Sequence, residues 1–427
     1  MQKKNENALR PWAYLAGFGM VGAPSGLFTC ISTLLLLSRG LSLSMASLAM
    51  SLNFITVLVL EMPSGMAGDL WGRKRVWILS RILSLAGVFC FCFGNIPVVL
   101  LGNILFGAGV AFSSGTLDAL YMERWMHARG KEATGKAGMW SSIVQYGCQA
   151  LGSLVGGVLS STPFLRYQYG ANLMLMAALL LAAVFWVIGT VPEDSREKTV
   201  SMKKGNPLRE MAFQGKKALL AARHSPVLLV ILLGAGILGF TTSGVEIYWQ
   251  PQLQTLAGEG EIGLLLGLLS SGSMIAVVLG NILAAQISAR IPTEKGRVAL
   301  YFLSRLAMTL CMVLAACLLR LTAFCTFYIL YYLAMGWQDN ADAVLLHQSA
   351  EDAVRGTIMS TESLALRLGG LVSQLLSAAV LAVTGIPVLW LLLAAVLGMG
   401  AIFCGAGYWL SCRKKAKPAS PLPEKMK

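Results

Sequence analysis

The sequence predicts an all-α integral membrane protein, with twelve transmembrane helices in two pseudo-symmetric six-helix bundles. Three observations predict it. The 427 residues are 56% hydrophobic and 13% charged, whereas soluble domains run nearer 45–50% apolar and about 25% charged. Charge-free runs repeatedly reach the roughly 18 apolar residues that cross a bilayer. Short words also recur at a fixed offset of 224 residues: "SRILSLA" (Ser80 to Ala86) as "SRLAMTL" (Ser304 to Leu310), and "LDALYME" (Leu117 to Glu123) as "ADAVLLH" (Ala341 to His347). That offset aligns Arg81 with Arg305 and Asp118 with Asp342, six helices apart, as a duplicated bundle requires.

Punctuation by charge, Gly and Pro sets the elements in order. The first span, about 11–38, opens at Pro11 and meets no charge before Arg39; the second, about 42–66, is charge-free from Gly40 to Leu60. Spans three and four, about 76–93 and 97–122, follow a basic cluster and a Gly-Asn break at Gly94 and Asn95. Spans five and six, about 137–160 and 168–191, are parted only by a short segment holding Arg166. Spans seven to twelve fall at about 227–252, 262–288, 298–319, 322–346, 357–383 and 387–411. The first run is a full span long and lacks a small-residue cleavage site, so it reads as a retained helix and not a signal peptide.

Counting Lys and Arg by side, 28 of the 34 fall on the side of the N-terminus and three (Arg39, Arg166, Arg320) on the other. The positive-inside rule then puts both termini in the cytoplasm of a multi-pass protein of the cytoplasmic (inner) membrane. The formal charge of +14 is thereby topology, not a nucleic-acid surface. Expected domains are an N-terminal bundle over 1–192, a cytoplasmic linker over 193–226, a C-terminal bundle over 227–411 and a cytoplasmic tail over 412–427. The linker's second half mixes apolar residues with lysines, a pattern open to either a solvated segment or an amphipathic helix on the membrane surface. The nine cysteines include no CxxC pair and read as small buried hydrophobes. An enzyme is disfavoured: the chain has three histidines (His127, His224, His347), no metal-ligand spacing, no GxSxG and no phosphate-binding glycine loop. No cofactor or metal is expected.

The stretch "GMAGDLWGRKRV" (Gly65 to Val76) places one acid and three consecutive bases between spans two and three. Here the chain resembles the major facilitator superfamily of secondary transporters over essentially its whole length. That family's loop signature, Gly-x-x-x-Asp-x-x-Gly-Arg-Lys, is met by Gly65, Asp69, Gly72, Arg73 and Lys74, with Leu70 where Arg is frequent. The preceding "EMPSG" (Glu61 to Gly65) is similar to the lead-in of bacterial drug-exporter-like members. Asp69 and Arg73 are four apart, a spacing that lets them pair if they share a helix, and Gly68 and Gly72 leave room for a second backbone. The resemblance implies that this loop latches the two bundles at the inner face, with an acid at the end of span four, Glu123 or Asp118, completing the cluster. The second half holds a degenerate copy, "ARIPTEKGRVA" (Ala289 to Ala299), with Gly296 and Arg297.

Two further positions bear on coupling. Proton-coupled members often carry Arg four residues before a Gly in span four; here that position is Asn103, before Gly107. Span five resembles the Gly-Pro-x-x-Gly-Gly of antiporters at Gly152, Gly156 and Gly157, with Ser153 in place of Pro. Close helix packing is the equally weighted reading of those small residues. Ionisable groups inside a membrane are costly and so are functional candidates. Arg367 lies about 15 Å into span eleven at about 1.5 Å per residue, five residues after Glu362. Glu246 stands beside Tyr248, Trp249 and Gln250 in the outer half of span seven, a composition suited to a cation; an interfacial belt is the other reading of Trp249. Asp339 and Asp342 lie near the inner end of span ten. The function expected is alternating-access transport of a small molecule, most like efflux of drugs or amphipathic compounds, with protons as a coupling partner. The alternatives are import of a nutrient or metabolite, or a receptor on the same fold. The lipid bilayer is the other expected partner, with no nucleic acid, and the chain is expected to be a monomer.

Overall fold

The computed structural model describes residues 10–130, 134–162, 168–192, 225–258, 262–349 and 352–416. The expected linker (193–226) and tail (412–427) therefore lie outside the described residues except at 225–226 and 412–416. Fourteen helices are described. They are α1 (Pro11–Thr29), α2 (Ser32–Ser38), α3 (Leu43–Trp71), α4 (Arg73–Phe93), α5 (Ile96–Ser113), α6 (Leu117–Arg129), α7 (Thr134–Ser160) and α8 (Gly170–Thr190) in the first half. The second half has α9 (Pro226–Ala257), α10 (Gly263–Ala289), α11 (Glu294–Cys317), α12 (Leu321–Ser349), α13 (Asp352–Leu381) and α14 (Ile386–Ala416).

They make twelve passages. The first is α1 and α2, bent by 51°, and the fourth is α5 and α6, interrupted at Ser114 to Thr116 where Gly115 takes a φ of +66°. Among the described residues nine segments are individually long and apolar enough to cross a membrane, and the bent pair makes a tenth. The remaining two, α7 and α12, run 27 and 29 residues. They are more polar because α7 carries small polar residues for helix contacts and α12 carries three tyrosines that face the interior. Helix starts are set locally: Ser42 Oγ accepts from Met45 N at 3.2 Å, Thr293 Oγ1 accepts from Gly296 N at 3.2 Å, and prolines open α1 and α9.

The halves repeat in packing as well as in sequence. In the first, α1 packs on α7 and α8, α3 on α5, and α4 on α5 and α8. In the second, α9 packs on α13 and α14, α10 on α12, and α11 on α12 and α14, the same pairs moved on by six passages. The 224-residue offset holds at side-chain level: Arg81 lies 5.4 Å over the Trp77 ring and Arg305 lies 4.6 Å over the Tyr301 ring. Between the halves, α3 meets α13, α7 meets α10 and α2 meets α9.

All the hydrogen bonds described between the halves lie at the end opposite the termini. They join Thr29, Ser32, Thr33 and Leu34 to Gln250, Thr33 to Ile247, Ser47 to Gln374, Ser153 to Ser270, and Ala150 to Ser271. The pair is drawn together at that end. Large apolar side chains such as Phe185, Leu151 and Phe403, 70%, 62% and 73% exposed, clothe the perimeter as a lipid-facing surface must.

Candidate functional site

From Thr241 to Leu253 every residue of α9 is buried except Glu246, which is exposed. Its carboxyl is the single open group on an otherwise covered stretch. Its neighbours come from α12, whose Tyr328, Tyr331 and Tyr332 all lie within electrostatic reach of it. The spacing Phe324, Tyr328, Tyr331, Tyr332 is one helical face. Behind it the rings form a ladder: Trp390 stacks on Phe324 at 5.8 Å, Phe324 on Tyr328 at 5.8 Å, and Tyr328 meets Trp249 at 5.2 Å. Trp249, 4% exposed, is buried against Tyr328. Tyr248 is fully buried.

Gln250 does something else. Its Nε2 donates to Thr29 O at 2.6 Å, and its Oε1 accepts from Thr33 N at 3.0 Å and Leu34 N at 3.3 Å. Those are the orphan backbone groups of the break between α1 and α2. Gln250 therefore caps a broken helix of the opposite half and has no side-chain atom left over for a substrate. Thr33 Oγ1 adds a bond to Ile247 O at 2.6 Å.

Arg367 is paired with a residue that sequence reading missed. Its Nη2 lies 3.6 Å from Glu61 Oε1, across the seam between α13 and α3, with side chains 31% and 36% exposed. The missed signal was an acid inside the predicted second span, which the cost of intramembrane charge should have flagged. Glu362 lies on the same helix as Arg367, half-buried. Asp342 on α12, 8% exposed, lies within its electrostatic reach, while Asp339 is exposed.

The loop signature is only partly an assembled cluster. Arg73 Nη1 lies 3.3 Å from Glu123 Oε2. Lys74, 9% exposed, instead donates to Ile188 O at 3.0 Å and Val191 O at 2.7 Å, clamping the C-terminal end of α8. Asp69 is on α3, its side chain outside the described residues, and Arg73 opens α4. The one-turn spacing expected between them does not apply, because Gly72, at φ +93°, reverses the chain between two helices. Among the described residues no second backbone approaches Gly65 or Gly72, and Gly68 meets only the Arg73 side chain. Asp118 is exposed in the first turn of α6.

The glycines of span five are packing positions. A Cβ on Gly152 would strike Ala23 O of α1, one on Gly156 would come within 2.6 Å of Cys30 Sγ, and one on Gly157 within 2.5 Å of Gly263 O and Gly267 N on α10. Asn103 is 1% exposed and also structural: its Nδ2 donates to Val99 O at 3.1 Å and its backbone oxygen accepts from Asn53 Nδ2 at 3.2 Å. Among the described residues no group of His, Cys, Asp and Glu is placed to hold a metal ion.

Comparison with known proteins places this geometry. No curated protein sequence matches the chain. Among solved structures it is similar to a bacterial homologue of the human lysosomal transporter Spinster, inward-facing and unoccupied, with 17% identity over 98% of this chain and 99% of that one at a TM-score of 0.67. It is also similar to the nucleoside transporter NupG, with 13% identity over 93% and 98% at a TM-score of 0.75. A third is a D-xylose–proton symporter, with 15% identity over 92% and 95% at a TM-score of 0.66. At such identities these likenesses show the fold alone. The sequence profile of the Major Facilitator Superfamily matches residues 13–359. The chain, twelve helical passages in two repeated bundles, belongs to the Major Facilitator Superfamily of membrane transporters.

Proposed function

We propose that this transporter carries amphipathic cations out of the cell across the cytoplasmic membrane by alternating access, in exchange for protons. The observation that carries the reading is Glu246, the one exposed residue of a buried stretch of α9, set before Tyr328, Tyr331 and Tyr332. A carboxylate supplies charge and an aromatic wall supplies apolar area and ring faces, the pair of features an organic cation needs. The outward direction is supported by the resemblance of Glu61 to Gly65 to the lead-in of drug-exporter-like members. Arg73, Glu123 and Asp69 serve in this reading as a latch at the cytoplasmic end, engaged when the cavity opens outward. The half-to-half bonds gathered at the other end fit the opposite, cytoplasm-open state.

The test is transport of radiolabelled tetraphenylphosphonium by the full chain reconstituted in liposomes of fixed orientation, with the pH gradient imposed either way. Proton-driven movement from the cytoplasmic face supports export. Movement only toward the cytoplasmic face would reverse the direction to import, and no gradient-dependent movement would remove the cation reading.

A further inference from the structure

The seam between α3 and α13 is made by one row of side chains. Ser47, Phe54 and Glu61 of α3 are spaced by sevens and so share a helix face. Ser47 Oγ donates to Gln374 O at 2.7 Å, a Cβ on Gly370 would come within 3.1 Å of the Phe54 ring, and Glu61 Oε1 is 3.6 Å from Arg367 Nη2. The row starts where the halves are drawn together and finishes on an ion pair. Leu48, Ile55, Val59 and Met66, 38–60% exposed, mark the lipid-facing side of α3, and Glu61 falls on the opposite side. It is ten residues, about 15 Å, from the Trp71 end of the helix. Charged groups at that depth persist where water reaches them, so the exposed third of each side chain looks into the space between the halves.

The pair is held by charge and not by a full set of hydrogen bonds. A guanidinium that clamps a carboxylate uses two parallel bonds of about 2.7–2.9 Å. Here one nitrogen approaches one oxygen at 3.6 Å, and Nε of Arg367 is buried with no hydrogen-bond partner among the described residues. Docking of the halves does not demand the pair either. The offset of 224 residues puts Ala285 and Ile143 at the equivalent places of the α7–α10 seam, which closes on Ser153 against Ser270 and Gly157 against Gly263. Helix register then relates the pair to Glu246. Gly239 of α9 packs on the backbone of Leu366, and Gly244 lies further along beside Ser373. Arg367 is therefore level with Gly239 or Phe240, and Glu246 lies six or seven residues, about 10 Å, beyond it along α9. Because α9 starts at the end that carries the termini, Arg367 stands between that end and Glu246.

We propose that Glu61 sets the charge selectivity of the transport path: by neutralising Arg367 it lets a cation reach Glu246, and without it the same arginine favours anions. The inference rests on the cation reading of Glu246 and adds to it a residue that touches no substrate and acts through Arg367. A lone positive charge about 10 Å from a bound cation, at an effective dielectric near 20, weakens its binding by about tenfold and strengthens that of an anion by as much. Loss of Glu61 also leaves Nε and Nη2 of Arg367 both open, two neighbouring donors of the kind that take a carboxylate or sulfonate bidentate.

The experiment uses two probes of one shape and opposite charge. Tetraphenylphosphonium and tetraphenylborate are bound at equilibrium to the purified full chain in detergent, and the ratio of the two affinities is read for each variant. A substitution that merely loosens the protein weakens both probes and leaves the ratio in place. Glu61→Gln should move the ratio toward the borate by about a hundredfold, about tenfold from each probe, and Arg367→Gln should move it toward the phosphonium. The double variant, and the swap of Glu61→Arg with Arg367→Glu, should bring it back toward the parent. Glu246→Gln in the same assay keeps the two readings apart. A ratio that answers to Glu61 and not to Glu246 supports the selectivity role and removes the cation site, and the converse keeps the cation site and overturns the role of Glu61. A ratio unmoved by Glu61→Gln, or moved as far in the double variant as in the single, overturns it as well.

Discussion

Gln250→Ala should unlock the end of the protein opposite its termini. In the structure the Gln250 side chain is fully buried and ties three backbone groups of the α1–α2 break to α9, at 2.6, 3.0 and 3.3 Å. A hydrogen bond of this kind contributes about 0.5–1.5 kcal/mol net, so the three together hold the closed end by about 2–4 kcal/mol. A transporter's two states lie within a few kcal/mol of one another. At about 1.4 kcal/mol per tenfold, losing these bonds shifts the population toward opening at that end on the order of 10²-fold. The assay is a distance distribution between spin labels at Ser38 and Thr384, both exposed at that end and on opposite halves, in a background without the nine native cysteines. The alanine variant should populate a longer distance than its parent. An unchanged distribution would refute the reasoning, because Gln250 would then be a local cap with no hold on the gate.

Three further outcomes follow from the same geometry. Gly157→Ala puts a Cβ within 2.5 Å of the α10 backbone and should likewise favour the longer Ser38–Thr384 distance, with little loss of folded protein on size-exclusion chromatography. Asp69→Asn should bias the two states by about 1–3 kcal/mol and slow transport at near-normal expression; full transport with unchanged accessibility of both faces would leave the loop a topological anchor. Single cysteines at Ser42 and Ser161 should react with an impermeant thiol reagent from outside intact cells and one at Arg129 should not, the reverse pattern contradicting the orientation.

Most of the fold was legible in the sequence because a bilayer permits so few solutions. Backbone groups without water must be satisfied within helices, so the charge-free runs nearly dictate the passages. Arg81 and Arg305, matched by offset alone, turn out to sit over aromatic rings in the same way. Apolar runs do not register where a helix breaks without losing hydrophobicity, as at Cys30 and Ile31 between α1 and α2. Nor does composition say what a polar side chain is bonded to. Gln250 and Lys74 both looked available for function, and both are occupied with the ends of helices distant in sequence. Glu61 was read as part of a loop lead-in, although its partner Arg367 was recognised as a buried charge in need of an acid. Pairings across a seam of two bundles depend on rigid-body placement, which local patterns do not encode. Glu246 draws attention in the sequence for the opposite reason: a lone acid among aromatics has few structural uses inside a membrane.

The central claim, a cation held by Glu246 before the α12 tyrosines, is tested most directly by equilibrium binding of radiolabelled tetraphenylphosphonium to the purified full chain and its Glu246→Gln variant. Two opposite charges about 4 Å apart at an effective dielectric near 20 attract by about 4 kcal/mol. The account therefore predicts that the variant, unchanged in shape, loses affinity by tenfold at the least and ceases to show competition between the cation and protons. Equal affinity and equal pH dependence in the two proteins would contradict it.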